Sequence, residues 1–322
     1  MTTQHRPHPP VVLGPNLPET FYRASGRLAR FRGVDLPPRP EDWVGSATPR
    51  FGQAPSGLSV LPDGRLLADA IAAEPADWLG PARADAGLLV KLLDAGQRLP
   101  VHVHPARPFT QSHLASPYGK TEAWIVLDAA PDAFVHLGFR RDVSAGELAR
   151  WVQAQDVGAL LAATNRIPVA AGDSLLCPAG APHAIGPDLL LVELQEPTDF
   201  SVLLEWEGFD LGPRDATLGL PFELAMQCVD RRAYSTERLA ALRGTATSLL
   251  PAEAAEFFAA ERVAGGQVVT GFAVLVVTDG SGRLTGEWGE LALSAGTTLV
   301  IPFAAGGCRL SGAVSAVNCR PA

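Results

Sequence analysis

Proline and glycine interrupt this chain so often, 28 and 32 times in 322 residues, that long regular elements are excluded over most of its length. Short apolar runs lie between the interruptions: GLLVKLL (87–93), LPVHVH (99–104), EAWIVLDA (122–129), AFVHLGF (133–139), SLLCPA (174–179) and DLLLVELQ (188–195). Each has the length of a strand, and several end at turn residues such as AGD (171–173) and IGPD (185–188). This spacing predicts a mainly β protein of the sandwich or jelly-roll kind, not alternating βαβ units. Two stretches break the pattern. SAGELARWVQAQDVGALLAA (144–163) opens with Ser144 and has Glu147 three residues on, a capping-box signature, and predicts an inserted helix broken at Gly158. STERLAALR (235–243) predicts a connecting helix.

Strand-like runs return from about 268 to 321. There AGTTLVIPFAAGGCRL (295–310) echoes AGDSLLCPAGAPHAIG (171–186): Ala-Gly, polar residues, an apolar strand, proline, small residues. The earlier copy contains His183, and no histidine follows it. The echo predicts an internal duplication whose second copy has lost whatever His183 does. A formal net charge of −8 without a Lys/Arg stripe argues against nucleic acid as a partner. No apolar run approaches the roughly 18–20 residues of a membrane span. MTTQHRPHPP at the start reads as a loose polar tail rather than a signal peptide. The four cysteines, Cys177, Cys228, Cys308 and Cys319, lack metal-type spacing and read as free thiols of a cytoplasmic protein.

His102 and His104 stand one residue apart in an apolar run ending at Pro105. On a strand, side chains at i and i+2 point the same way, so both imidazoles aim at one place. His183, and Glu122 at the head of the 122–129 run, complete a candidate metal set. Imidazole with carboxylate suits Zn²⁺ and also Fe²⁺, Mn²⁺, Co²⁺ or Ni²⁺. His113 and His136 read as surface or hydrogen-bonded residues.

The phrases VHVHP, GKTEAWIVLDA, LGF, AGDSLLCPAGAPHAIG and LLLVELQEPTD together resemble the class I mannose-6-phosphate isomerases, a family of cupins. The match spans residues 87–200, with EDWVGS (41–46) and LAMQCVD (224–230) as weaker anchors. The resemblance implies a metal-bearing cupin barrel over 11–225 with a helical insertion near 144–163. A helical connector over 226–255 and a degenerate second cupin over 256–322 would follow. It also implies a zinc-dependent aldose–ketose isomerase that moves a proton between C1 and C2 through a cis-enediol. His102, His104, Glu122 and His183 would be the ligands. Lys120 and Glu193 would serve the chemistry, and a sugar or sugar phosphate would be the partner.

Three positions depart from the family pattern. His102 stands where the family has glutamine, and Pro100 where it has serine. The substrate-facing arginine falls on Val202 or Leu203, and no arginine lies between 167 and 213. An aliphatic side chain cannot replace a guanidinium with its fixed charge and five donors. Arg140, just after HLGF, is the expected substitute cation. The altered wall leaves open an unphosphorylated sugar, or a cupin that binds a sugar without isomerising it.

Overall fold

A computed structural model describes residues 8–245 and 248–322; most of the N-terminal tail, including His5, lies outside the described residues. The chain builds three antiparallel sheets. The central one orders Glu41–Val44, Leu89–Ala95, Leu189–Gln195, Glu122–Ala129 and Ser174–Cys177. A second orders Val202–Leu203, His102–Val103, His183–Ile185, Phe134–Phe139 and Thr164–Pro168. The third is C-terminal and is built mainly from Phe258–Ala264, Ala273–Gly286, Thr298–Ile301 and Cys308–Pro321.

The burial of these strands explains their composition. Leu89–Ala95 and Leu189–Gln195 are buried along their whole length, so they read as mostly apolar runs, interrupted by Lys91 and Asp94 in one and by Glu193 and Gln195 in the other, rather than alternating ones. One face of Leu89–Ala95 carries Lys91 and Leu93 toward the site; the other carries Val90 and Leu92 into a core shared with Val274, Val300 and Val317 of the C-terminal sheet. The two sheets approach so closely at Gly45 that a Cβ there would lie 2.5 Å from Val300 Cγ2. The backbone at Gly45 is also left-handed (φ +58°), so both space and conformation call for glycine.

The N-terminal boundary differs from the sequence reading. Val11–Val12 pairs with Leu299 and Val300, so the chain starts as an edge strand of the C-terminal sheet before entering the first barrel. His8 is packed against Trp78 at 5.8 Å rather than loose. Among the described residues the 226–255 segment is less helical than expected: its one α-helix is Thr236–Ala241, with 3-10 turns at Met226–Cys228 and Ala252–Glu256.

The inserted helix is also two helices, Ala145–Gln153 and Val157–Ala163. Ser144 and Glu147 form the expected capping box. The break falls at Gln155, not Gly158: Gln155 is left-handed (φ 48°), and Asp156 caps the second helix by accepting from Ala159 N. The Gln155 side chain accepts from Trp206 N and Glu207 N and donates to Val152 O, which ties the break to the loop after Val202–Leu203. Leu148, Trp151, Val152 and Leu160 cover the outer face of the second sheet, over Val101, Val103 and Phe139. The inner face of that sheet is therefore left to pack on the central sheet and to carry the histidines.

Candidate metal centre and active site

The register brings the four predicted ligands together. His102 is the cross-strand partner of His183, and Glu122 that of Cys177 on the central sheet. The imidazole centroids of His102, His104 and His183 lie 4.0–4.9 Å apart. One ligand atom from each of the three comes within 4.8 Å of the others. All four residues are buried.

Their hydrogen bonds show which atoms face inward. His102 Nδ1 donates to Pro100 O, His104 Nδ1 to Phe200 O and His183 Nδ1 to Ala181 O, each at 2.8 Å. A carbonyl can only accept, so each Nδ1 carries the proton and each Nε2 presents a lone pair to the centre. Glu122 faces these lone pairs, with Oε2 3.0 Å from His104 Nε2 and Oε1 3.3 Å from His183 Nε2. Acceptors packed against acceptors repel unless a cation lies between them. Protons are a poor answer here. Burial, and then the Lys120 ammonium, push His104 down to about 3, and burial with its two histidine neighbours holds His102 well below the usual imidazole range. Glu122 Oε2 and His183 Nε2 are buried without a hydrogen-bond partner among the described residues. Orphaned lone pairs on imidazole and carboxylate, with each imidazole oriented by a backbone carbonyl, fit a divalent transition metal.

The centre opens into a cavity of about 370 Å³. His102 and Lys120 line it, while His104, Glu122 and His183 sit behind them. Lys120 Nζ is 3.1 Å from His104 Nε2 and 3.5 Å from Glu122 Oε2, at the inner edge of the cavity. Glu193 lines the same cavity from the central sheet, where it pairs with Lys91 on one side and Trp124 on the other. Burial, and next the Glu122 charge, raise the Glu193 carboxyl to about 7 against the pull of Lys91 and Lys120.

Several site residues escaped the sequence reading. Lys91 Nζ is ringed by carboxylates, with Glu41 at 3.6 Å, Glu193 at 3.7 Å and Asp199 at 3.9 Å. Glu41 accepts in turn from Tyr22 OH and from Trp43 Nε1. A lysine inside the apolar GLLVKLL run was the available signal. A charge on a strand buried on both faces needs partners, and here they are in the site.

Arg140 is not at the cavity. The strand Phe134–Phe139 leaves the sheet toward the inserted helices, where Arg140 N donates to Ala163 O. Its exposed side chain borders a separate depression with His136 and Asn165. Of Val202 and Leu203, only Leu203 faces the cavity. Leu203 pairs with His102 and lines the cavity, while Val202 packs outward among the helices. Pro100 lines the cavity too. His136 is hydrogen bonded to Thr164, and His113 is exposed against Phe109. The four cysteines are buried and free. No helix among the described residues is long and apolar enough to cross a membrane.

Comparison with known proteins agrees with this geometry. No family model matches the chain. The mannose-6-phosphate isomerase of Streptococcus mutans is 29% identical over 288 residues, covering 86% of this chain and 87% of that protein. The chain resembles the mannose-6-phosphate isomerases over most of its length. Its fold is that of solved mannose-6-phosphate isomerases, which are cupins. The Bacillus subtilis enzyme superimposes with a TM-score of 0.77 over 97% of this chain and all of that one, at 22% identity. A mannose 6-phosphate isomerase bound with zinc and yttrium superimposes at 0.74 over 97% of this chain and 99% of that one, at 16% identity. The likeness of fold thus extends over nearly the whole chain.

Proposed function

We propose that this chain is a metal-dependent aldose–ketose isomerase that interconverts mannose 6-phosphate and fructose 6-phosphate in the cytoplasm. One observation carries the reading: three imidazole lone pairs and Glu122 converge on one point, at the inner end of a cavity that also holds Lys120 and Glu193. The relatives named for this activity support it, as does the zinc bound by one structural neighbour.

His102, His104, Glu122 and His183 would hold the metal, with zinc the ion their donor set suits best. Bound there, a divalent ion would polarise the hydroxyl and carbonyl oxygens on C1 and C2 of a sugar and stabilise negative charge as it develops on them. Isomerisation then needs a base that takes the proton from one carbon and returns it to the other through the cis-enediol. Glu193 meets that need: it lines the cavity, and its carboxyl is poised near neutrality, where a group can accept and release a proton with similar ease. Lys91 orients it from 3.7 Å while being shared with Glu41 and Asp199, so the carboxylate is positioned without being tied into a tight ion pair. Lys120 presents three donors beside the ligand set, where a substrate oxygen gaining charge would accept from Nζ.

Leu203 in the arginine's place keeps a second reading in view, a cupin that binds a sugar and leaves it unchanged. Turnover of mannose 6-phosphate in heavy water by zinc-loaded protein separates the two. Isomerisation with deuterium entering the product is expected. Tight binding of the sugar with neither turnover nor exchange would establish the binder instead.

A further inference from the structure

The apolar Leu203 cannot hold an anion, yet two other arginines reach the cavity from outside the barrel. Arg50 lies on the 45–59 loop that follows the first strand of the central sheet, and Arg214 on the 204–221 loop that follows Val202–Leu203. Both line the same cavity as His102, Lys120 and Leu203. We infer that Arg50 and Arg214 form an anion-holding end of this cavity and replace the missing arginine as the residues that select a sugar carrying a phosphate over a free sugar. The inference rests on the isomerase reading for the identity of the sugar, and on the cavity alone for the anion.

The charge arrangement favours these two. Four cations line the cavity: Arg50, Lys91, Lys120 and Arg214. Lys91 is taken up by three carboxylates within 4 Å, and Lys120 sits against His104 and Glu122. Neither has charge to spare for a substrate's tail. Arg50 is held in place without being neutralised closely. Its Nη1 donates to Glu19 O and, at 3.1 Å, to Gln53 Oε1, while its one ion pair among the described residues runs from Nε to Asp199 at 3.7 Å. Arg214 is exposed, and no ion pair among the described residues engages it. Asp215, next in sequence and also lining the cavity, accepts from Gly212 N at 2.9 Å, and no ion pair among the described residues joins it to Arg214. A guanidinium with free donors at a cavity mouth and a second one anchored by its loop suit a phosphate monoester, whose oxygens accept paired N–H donors. The cavity volume of about 370 Å³ falls in the range, roughly 300–1,000 Å³, of sites for small molecules.

Calorimetric titration of the zinc-loaded protein tests this without relying on turnover. Mannose 6-phosphate should bind at least about tenfold more tightly than mannose. Arg214→Gln should close most of that gap, and Arg50→Gln with Arg214→Gln should close the rest. Raised salt should weaken mannose 6-phosphate more than mannose. Equal affinities of the unmodified protein for both sugars would overturn the inference. So would an Arg214→Gln protein, folded and zinc-loaded, whose preference for the phosphorylated sugar is unchanged. Failure of the isomerase reading is a different result: mannose 6-phosphate bound through the arginines with no conversion would keep the anion site and discard the reaction.

Discussion

The two barrels share local construction and differ in what fills them. After Ala170 and after Ser294 the chain makes the same turn, with Asp173 N donating to Ala170 O and Thr297 N to Ser294 O, both at 3.0 Å around a left-handed glycine. Each turn leads into a four-residue buried strand, Ser174–Cys177 or Thr298–Ile301, then a proline and a second matching turn, with Ala181 N bonded to Pro178 O and Ala305 N to Pro302 O at 3.0 Å. Beyond that point the copies part. In the first barrel His183 pairs with His102; at the corresponding place in the second, Cys308 pairs with Val269. Glu122 opens the strand beside Cys177, and Ala273 opens the strand beside Ile301. Val269, Ala273 and Cys308 belong to a continuous apolar core with Leu275, Leu299 and Leu310. The strand framework therefore tolerates either a polar centre or an apolar plug, and the choice is made by a few inward-facing residues. An apolar interior needs no partner beyond its own packing. Buried histidines and a carboxylate need hydrogen bonds and a cation, and the backbone carbonyls of Pro100, Phe200 and Ala181 supply the first of these.

This contrast can be sharpened by substitution. The largest effect is expected at Glu193. Glu193→Gln should lower kcat about 10²–10⁴-fold while the metal stays bound, because the amide keeps the shape and loses the proton acceptor. The same residue sets the acid side of the pH profile. Its raised carboxyl must be ionised to act as a base, so kcat/KM should rise with pH and level off, with its midpoint at or below about 7, since a bound cation would offset the Glu122 charge that helps raise it. A kcat/KM that falls as the pH rises toward 7 would remove Glu193 from the role. At His102, the Gln variant restores the family's donor. His102→Gln should fold normally and bind zinc about tenfold or more weakly, measured by competition with a chelator, because an imidazole oriented by a carbonyl is exchanged for a weaker amide oxygen. In the second barrel, Leu299→Ala should cost about 2–5 kcal/mol in denaturant unfolding, the effect of opening a cavity at a fully buried position, with zinc content unchanged. Zinc lost along with that stability would show that the barrels do not divide the work as the contrast implies.

How far the sequence was readable follows from how local each signal is. His102 and His104 announce themselves because strand periodicity alone puts them on one face, and Glu122 and His183 lie on strands bounded by clear turns. The sandwich character was legible for the same reason, since each strand carries its own punctuation. Arg140 misled because it follows a strand whose inner face borders His183, yet the chain turns away after Phe139. Val202 and Leu203 could not be told apart until pairing with His102 fixed which side chain points inward. Arg50 and Arg214 sit in loops rich in Gly and Pro, where no periodicity says which way a side chain faces. Glu41 and Asp199 meet Lys91 only through contacts between segments far apart in the chain.

The measurement closest to the central claim is the zinc content of the purified protein and of its His104→Ala variant, by elemental analysis after exposure to excess metal and desalting. The convergent lone pairs of the first barrel predict about one ion per chain in the unmodified protein and none held by the variant, with both folded. Full occupancy in the variant would contradict the account, because the ion would then be bound somewhere other than the centre that His102, His104, Glu122 and His183 define.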